Sequence, residues 1–437
     1  MKTSTTRRKF VETTAVAAAS TWAVATATPY FIPCGVLASG ARPGPNEQIG
    51  VGIIGVGHRG AHLLDQRPPS ARIVALCDCN LPRAEACKAK KRGDWPVHED
   101  YRKILDRKDV DGVIVATGEF QRVLPCIHAC QAGKDVYAEK PLTLYIREGR
   151  VLVRAVREHN RVLQVGTQQR SMAMNRVACE LVRTGGLGRI KEVLVKNYPS
   201  PDPCPQLTEE KTPAGLNWNV WLNQAAFRPF NGQWMNWTHW HDFSGHWMTN
   251  WGAHGIDQVQ WGVGMDGTGP VEMRPLAPGP NGAVEMRYAN GVPVRFVLDF
   301  NNRHRGPMAG CIFVCEEGKL EVNRNKFTSN PKEISVELLK KVSADEEEKK
   351  WGDQTGLWQA KGHIQNWLDC IRTRQKPNAD VEIGHRTISV AHLMNITRRL
   401  GRPLKWDPAK EQFIGNDEAT KLVDRPRRKG YEFPSLG

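Results

Sequence analysis

The sequence predicts an α/β protein that begins with a Rossmann domain, a doubly wound parallel sheet, and continues into a second, α+β domain. Repeated strand–helix units between residues 49 and 166 predict the first part. Shorter strands separated by turns and long irregular stretches, from about residue 186, predict the second. Because 437 residues exceed one ordinary core, we expect domains at 47–170 and 171–437, preceded by a separate segment at 1–40.

The first forty residues have the composition of a targeting segment. Paired arginines, Arg7 and Arg8, precede Lys9 and Phe10, and a stretch rich in Ala, Val and Thr follows from Thr13. That stretch is too short and too weakly apolar to make a stable membrane span. It predicts a twin-arginine signal and hence a periplasmic protein, the alternative being an amphipathic helix with a chance Arg-Arg pair.

A glycine-rich turn follows the first predicted strand, Ile49–Ile54, and precedes a predicted helix. In a dinucleotide-binding turn of this kind the first glycine permits the tight turn and the second lets backbone N–H groups approach a pyrophosphate. The third lets the helix pack closely on the strand, and the helix N-terminus faces the negative charge. We therefore predict cofactor contacts from the run Gly55, Val56, Gly57, His58, Arg59 and Gly60.

Asp78 ends the second predicted strand, about twenty residues after the glycines, where the dinucleotide fingerprint requires an acid. A carboxylate there accepts hydrogen bonds from ribose hydroxyls and repels a 2′-phosphate, which favours NAD over NADP. Arg83 nearby keeps NADP open as a cofactor. The competing interpretation is that Asp78 only caps the following helix.

Polar residues fall at or just after the carboxyl ends of later strands, where doubly wound sheets bind ligands. Thr117 follows the strand predicted at 110–117, Glu139 and Lys140 follow the strand at 135–138, and Gln168 follows the strand at 162–166. We expect these four residues to border the cofactor, and Lys140 to meet a substrate there. The helix after Thr117 is predicted to begin at Val123.

Composition excludes several other classes of protein. The net charge is +15, but Lys and Arg are spread along the chain and no basic run alternates with aromatic residues. This scatter argues against nucleic-acid binding, although a positive field would suit an anionic cofactor or substrate. The eleven cysteines contain no CxxC pair and read as small buried hydrophobic residues.

Several motifs together resemble the Gfo/Idh/MocA family of oxidoreductases, which includes glucose–fructose oxidoreductase and inositol dehydrogenase. They are the glycine turn, Asp78, Glu139-Lys140-Pro141, the run from Val165 to Arg170, the run from Trp251 to Asp257, and Lys376 to Asp380. The resemblance covers essentially the whole chain after residue 40. It implies hydride transfer between a nicotinamide cofactor and a sugar, cyclitol or related polyol. It implies that the second, α+β domain is built on an open, mostly antiparallel sheet. It also implies a homo-oligomer, a dimer or tetramer, and C-terminal helices that pack back on the first domain.

The resemblance assigns roles to individual residues. It implies that Lys140 lies beside the nicotinamide and the substrate hydroxyl, that His254 acts as acid and base, and that Asp257 holds the substrate or orients the site. Further substrate contacts are expected from Arg170, Asn250 and Trp251.

The chain departs from the family pattern at two positions. Asn250 stands where many members have an aspartate, so it can accept a bond from the His254 imidazole but cannot stabilise an imidazolium electrostatically. Arg122 stands where a histidine is usual, which can change the preference for substrate charge.

Tryptophans and histidines concentrate in the second half. Eight of fourteen tryptophans lie between residues 218 and 261. Most are expected in the core, while one or two lining a cleft would suffice to stack on a sugar. Four histidines, His239, His241, His246 and His254, match no standard zinc spacing, so no metal site is predicted. The basic run 425–429 is expected to be extended and solvated.

Three functions remain open from the sequence. The first is a dehydrogenase for sugars or polyols. The second is a glycoside hydrolase that oxidises its substrate transiently with NAD, eliminates the aglycone, adds water and reduces the product. The third is a binding protein without catalysis, for which Asn250 is the main argument.

Overall fold

The computed structural model describes residues 44, 47–299, 301, 306–343 and 360–435. The predicted signal segment at 1–40 lies outside the described residues. Glu47–Gly437 form one compact unit. None of the described helices is both long enough and apolar enough to cross a bilayer.

The first sheet has six parallel strands in the order β3-β2-β1-β4-β5-β6. Its central strands are buried throughout, as expected for a parallel sheet covered on both faces. The strands are β1 Ile49–Ile54, β2 Ala71–Cys77, β3 Val97–His98, β4 Gly112–Val115, β5 Asp135–Ala138 and β6 Leu163–Val165. The direction of strand order reverses between β1 and β4, which creates a crevice at their carboxyl ends.

The second sheet has nine strands in the order β13-β12-β11-β7-β10-β9-β8-β14-β15. β7 and β10 pair in parallel and the other neighbours pair antiparallel. The strands are β7 Ile190–Asn197, β8 Pro270–Pro275, β9 Val284–Tyr288, β10 Pro293–Asp299, β11 Cys311–Cys315, β12 Lys319–Asn323, β13 Lys326–Asn330, β14 Leu404–Asp407 and β15 Gln412–Phe413. The two sheets confirm the predicted fold class, while the domain boundary near residue 170 stays a prediction.

Helices cover both sheets and connect the two halves. They are α1 His58–Asp65, α2 Leu81–Lys90, α3 Arg102–Leu105, α4 Glu119–Gln131, α5 Ile146–Glu158, α6 Ala173–Arg183, α7 Trp218–Leu222, α8 His246–Asn250, α9 Gly252–Gly262, α10 Glu333–Ser343, α11 Lys361–Thr373, α12 Val381–Leu400 and α13 Asp417–Lys421. Trp367 of α11 is buried in the same apolar cluster as Val51 and Ile53 of β1. The chain thus returns to the first sheet near its end.

The start of α4 differs from the expectation. The helix begins at Glu119, four residues before the predicted Val123. Gly118 precedes it, and the side chain of Gln121 accepts a hydrogen bond from the Gly118 N–H at 3.1 Å. This hydrogen bond caps the helix at Gly118. The spacing of apolar residues, from which the start at Val123 was predicted, carries no information about such a cap.

The basic run near the C-terminus is not a solvated extension. The Arg425 side chain is 8% exposed, and its Nε lies 2.9 Å from Oε1 of the fully buried Glu148. A buried carboxylate needs a cationic partner, so this segment packs against α5 through that pair.

Candidate active site

A first cavity, of about 350 Å³, lies at the carboxyl ends of β1, β2 and β4. We call it the cofactor cavity. Six of the predicted cofactor residues line it: Gly55, Gly57, His58, Arg59, Asp78 and Thr117. Its position is the reversal point of the strand order, where open α/β sheets bind ligands.

The glycine turn has the shape the sequence predicts. Gly55 has a φ of +87°, a conformation that favours glycine. A Cβ on Gly60 would lie 2.0 Å from the Gly55 carbonyl oxygen, so only glycine allows α1 this close to the turn. A Cβ on Gly57 would meet no atom within 4 Å, so the backbone there is open to a ligand. Val56 and Gly60 do not line the cavity themselves; they shape it.

Asp78 lines the cofactor cavity and also binds the backbone of the glycine turn. Its Oδ2 accepts a hydrogen bond from the Val56 N–H at 3.0 Å, and its Oδ1 accepts one from the Asn80 N–H at 2.9 Å. Arg83 Nη1 lies 3.7 Å from Oδ1. The cap of α2 is the Asn80 side chain, which accepts from the Arg83 N–H. The interpretation that Asp78 only caps α2 is therefore wrong, because the side chain of Asn80 caps that helix.

A second cavity, of about 380 Å³, adjoins the first, and Arg59, Ala116, Thr117 and Trp237 line both. We call it the substrate cavity. It brings together predicted residues from both halves of the chain: Glu139, Lys140, Gln168, Asn250, Trp251 and His254. Residues that follow β5 and β6 thus meet residues of α8 and α9 beside the cofactor cavity.

Lys140 is held in a defined place in this cavity. Its Nζ donates to the Asn250 side-chain Oδ1 at 2.7 Å and to the Asn250 backbone oxygen at 3.0 Å. Burial lowers the pKa of Lys140 to about 8, although the Glu139 carboxylate opposes the shift. An amine with this pKa can give and take a proton near neutral pH.

Glu139 anchors Lys140 and Arg59 at the boundary of the two cavities. Its Oε1 accepts from Arg59 Nε at 2.8 Å, and its Oε2 accepts from the Lys140 backbone N–H at 3.0 Å. Burial acts to raise the pKa of Glu139, but Arg59 and Lys140 outweigh it and leave that pKa below its usual range. Glu139 is thus a fixed negative charge.

His254 and Asn250 are arranged differently from the expectation. Asn250 binds Lys140, whereas the His254 Nδ1 is buried with no hydrogen-bond partner among the described residues. Burial, and then the positive charges of Arg324 and Lys140, hold the pKa of His254 well below its ordinary value. His254 is therefore a neutral imidazole. Because Asn250 binds Lys140, the asparagine that replaces the usual aspartate acts on Lys140 rather than on the histidine.

Asp257 and Arg170 do not reach the substrate cavity, which corrects two predictions. Both side chains are almost fully buried, at 1% and 4% exposed, and the Arg170 Nε lies 2.8 Å from the Asp257 Oδ1. Thr387 donates to that same oxygen, and Asp266 pairs with the other side of the guanidinium. Asp257 follows His254 by three residues on α9, but its side chain binds Arg170, which precedes α6, and Thr387 of α12. Their function is structural.

The substrate cavity also contains residues that the sequence did not assign: Glu119, Arg122, Ser244, Trp237, Trp247 and Arg324. Arg122 was noted only as a departure; its guanidinium donates to the backbone oxygens of Pro141 and Thr117. Three tryptophans, counting Trp251, face this cavity. Trp218, Trp221 and Trp234 instead pack in an aromatic cluster. Arg324 follows β12, and no pattern in the sequence links it to the site.

The residues present fit a nicotinamide dinucleotide. The open backbone at Gly57, the start of α1 and the Asp78 carboxylate supply the contacts that a pyrophosphate and a ribose require. Among the described residues, one group of three potential metal ligands occurs, Cys204, His241 and Asp242. Arg228 already pairs with that aspartate, which disfavours a cation there.

Comparison with known protein families agrees with this geometry. Residues 49–167 match the oxidoreductase-family model of the NAD-binding Rossmann fold, and residues 204–433 match the model of the oxidoreductase-family C-terminal alpha/beta domain. The chain is 34% identical over 151 residues to inositol 2-dehydrogenase 4 of Saccharopolyspora erythraea, covering 33% of this chain and 44% of the relative. It is 31% identical over 146 residues to 2,7-anhydro-N-acetylneuraminate hydratase of Mediterraneibacter gnavus, covering 33% and 38%. The chain thus matches less than half the length of these curated relatives.

Solved structures share the fold over most of the chain. The WlbA dehydrogenase from Bordetella pertussis, in complex with NADH and UDP-GlcNAcA, superposes with a TM-score of 0.58 at 18% identity, covering 82% of this chain and 99% of that one. The aldose-aldose oxidoreductase from Caulobacter crescentus gives 0.57 at 16% identity with the same coverage. Because the family models match more than half of the chain, it belongs to the Gfo/Idh/MocA family of NAD-binding oxidoreductases.

Proposed function

We propose that this protein oxidises a secondary hydroxyl of a sugar, cyclitol or related polyol and transfers the hydride to NAD⁺. The observation that carries the proposal is the place of Lys140. A buried amine with a pKa of about 8 is held by Asn250 in a cavity that adjoins the cofactor cavity. The inositol dehydrogenase relative and the sugar oxidoreductase neighbour support this substrate class.

The chain's own residues account for binding and for proton transfer. When bound, NAD⁺ supplies the hydride acceptor at C4 of its nicotinamide ring. The neutral amine of Lys140 takes the hydroxyl proton as the carbon–hydrogen bond breaks. His254, also neutral, can accept a second hydrogen bond from the substrate. The tryptophan faces of Trp237, Trp247 and Trp251 provide the surfaces on which a sugar ring stacks.

We propose NAD rather than NADP as the cofactor in use. Each carboxylate oxygen of Asp78 accepts one hydrogen bond from a backbone N–H, and these two bonds fix the carboxylate in place. The remaining lone pairs are available to ribose hydroxyls, and its charge repels a 2′-phosphate. Arg83, at 3.7 Å, is too weakly engaged to neutralise it.

The test follows NADH formation with purified protein, NAD⁺ and a panel of sugars, cyclitols and aryl glycosides, with aglycone release measured in parallel. Net NADH supports the dehydrogenase. Aglycone release without net NADH supports a hydrolase that uses NAD transiently. A rise of the melting temperature with a sugar, but without either product, identifies a binding protein and contradicts the proposal.

We further propose export by the twin-arginine route, which delivers folded proteins and so suits an enzyme that acquires its cofactor in the cytoplasm. Arg7, Arg8 and the Ala-rich stretch after them support this location. Residues 1–40 fused to a reporter should reach the periplasm, and replacing both arginines by lysines should block transport. We also propose a homo-oligomer, which sedimentation would reveal as a dimer or tetramer.

A further inference from the structure

A third cavity, of about 780 Å³, is about twice as large as either of the two described above. It lies between the first turn of α5, the loop after β7, the second half of α12 and the segment that follows α13. We call it the arginine cavity, after Arg398, Arg399 and Arg425 in its wall. Of its described lining residues, only Ser244 also lines the substrate cavity, and none lines the cofactor cavity. A ligand bound here is therefore separate from cofactor and substrate.

Arg398 places a buried positive charge in this wall. Its side chain is 5% exposed, and no carboxylate among the described residues pairs with it. The guanidinium instead donates to uncharged oxygens, those of the Gly282 backbone at 2.9 Å, the Tyr198 backbone at 2.9 Å, the Ser200 hydroxyl at 3.1 Å and the Asn197 side chain. Burial lowers the pKa of Arg398 to about 10, so it remains a cation at neutral pH. Because buried charges are ordinarily paired, Arg398 leaves a positive charge without a counter-ion.

Arg399, the next residue of α12, adds a second positive charge to the same wall. Its side chain is exposed, and no acid in the described part of the chain pairs with it. Burial raises the pKa of Tyr145, while the positive charges of Arg425 and Arg399 oppose that rise. Arg399 therefore acts on the ring of Tyr145, which lines the cavity as well.

Three other titratable side chains of the wall add no net charge. Arg425 Nε lies 2.9 Å from Oε1 of Glu148, so this cation is neutralised. Asp424 is neutralised in turn by Arg427, whose Nη2 lies 2.6 Å from its Oδ1. Burial lowers the pKa of His392 to about 4, so its imidazole is neutral.

His241, also in the wall, belongs to a group with one surplus positive charge. A hydrogen bond to Asp242 raises the pKa of His241 to about 9, so the imidazole is protonated at neutral pH. Arg228 pairs with the same carboxylate, and the group therefore has two cations and one anion. Together with Arg398 and Arg399, it gives the described surroundings of the cavity an excess of three positive charges.

The rest of the wall suits a small molecule with a ring. Much of it is apolar and rigid, including the ring of Tyr145 and the side chains of Pro201, Pro203 and Pro280. Ligand sites are commonly cavities of several hundred Å³ with apolar walls and a few polar groups that fix orientation. An aromatic ring can stack on the C–H face of a sugar, and guanidinium groups match carboxylates and phosphates. Water can hydrate the exposed Arg399, but a counter-ion for the buried Arg398 has to lie in the cavity.

We propose that the arginine cavity is a second binding site, which takes an oxyanion, a carboxylate or a phosphate, carried on a ring of the size of a monosaccharide. The oxyanion pairs with Arg399 and is attracted by the buried charge of Arg398. The ring packs against Tyr145 and the neighbouring prolines. This site does not depend on the function proposed above, because its residues belong to neither the cofactor turn nor the Lys140 region.

The experiment is isothermal titration calorimetry of the full chain with D-glucuronate and with D-glucose 6-phosphate. D-glucose lacks the oxyanion and inorganic phosphate lacks the ring, so each should bind at least about ten-fold more weakly than the better of the two acidic sugars. Arg399→Gln should weaken binding of that acidic sugar by about ten-fold or more, because it removes a charged hydrogen-bond donor. Since Arg399 is exposed, this substitution leaves the fold intact. Arg189→Gln, an exposed arginine outside all three cavities, is the matched control and should leave the affinity unchanged.

Two further measurements separate this site from the catalytic one. Lys140→Ala, in the substrate cavity, should bind the acidic sugar as the wild type does, with and without saturating NAD⁺. Arg399→Gln should reduce NAD⁺ with a polyol at the wild-type rate.

Several results would overturn the inference. Wild-type affinity in Arg399→Gln, or binding that is lost in Lys140→Ala, would show that the anion lies outside the arginine cavity. Equal affinity for inorganic phosphate and for both acidic sugars would contradict the contact with the ring, and no binding of either acidic sugar would contradict the site itself. None of these results bears on the proposed oxidation, which NADH formation tests.

Discussion

Asn250→Asp tests the central feature of the site, the contact that holds Lys140. The substitution keeps the size of the side chain and replaces a neutral acceptor by a charged one at 2.7 Å from the lysine Nζ. A negative charge at this distance favours the ammonium form, so the pKa of Lys140 must rise from its value of about 8. The structure thus predicts that the residue more usual in the family makes this lysine a poorer base at neutral pH.

The magnitude follows from the two kinds of hydrogen bond. A neutral bond contributes about 0.5–1.5 kcal/mol and a bond between charged groups about 1.5–3 kcal/mol. The midpoints of these ranges differ by about 1.3 kcal/mol, which corresponds to about one pKa unit. At pH 7 the neutral fraction of Lys140 should therefore fall from roughly one tenth to roughly one hundredth.

The assay is the pH dependence of kcat/KM for NAD⁺ reduction. The rise with pH should be centred near 8 in the wild type and about one unit higher in Asn250→Asp, with a rate about ten-fold lower at pH 7 and equal rates at high pH. Asn250→Leu removes the side-chain acceptor and should move the centre the other way. A centre that stays in place in both variants would show that Lys140 is not the group whose ionisation limits the reaction.

Three further predictions address the remaining residues. Lys140→Ala should abolish NAD⁺ reduction while NADH fluorescence titration still shows binding. Lys134→Ala is the control; this half-buried lysine bonds only to backbone oxygens outside both cavities, and its removal should leave NAD⁺ reduction unchanged. Activity that survives in Lys140→Ala contradicts the assigned site. Asp78→Ala should weaken NAD⁺ binding by about ten-fold and reduce the preference for NAD⁺ over NADP⁺. An unchanged ratio of kcat/KM for the two cofactors would show that this carboxylate does not contact the ribose hydroxyls. Asp257→Ala leaves Arg170 buried with half its partners, and urea unfolding should report a loss of about 3–5 kcal/mol. A stable but inactive Asp257 variant would instead restore its catalytic role.

The first domain was predictable because its signals are local. The glycine turn lies between β1 and α1, and Asp78 ends β2. Parallel strands align their carboxyl ends whatever the rest of the chain does. Thr117, Glu139 and Lys140 therefore had to lie along one edge, and the structure places them there. The open, mostly antiparallel sheet of the second domain was predictable only through the resemblance.

The partners of individual polar side chains could not be predicted. Asn250 was expected to serve His254 but binds Lys140, and Asp257 was expected in the site but neutralises Arg170. On a helix, residues three or four apart share a face, so we expected the polar residues between Asn250 and Asp257 to line one site. Asn250, Trp251 and His254 do line one cavity, but the ion pair with Arg170 holds Asp257 outside it.

The sequence by itself determined the fold class, the cofactor turn and the acid at the end of β2, because each depends on residues close together in the chain. Tertiary structure alone decided which polar groups meet: Glu119 meets Ser244, Lys140 meets Asn250, and Arg324 joins the wall of the substrate cavity. Burial and electrostatic neighbours set the proton affinities of such groups, and both come from chain segments more than a hundred residues apart.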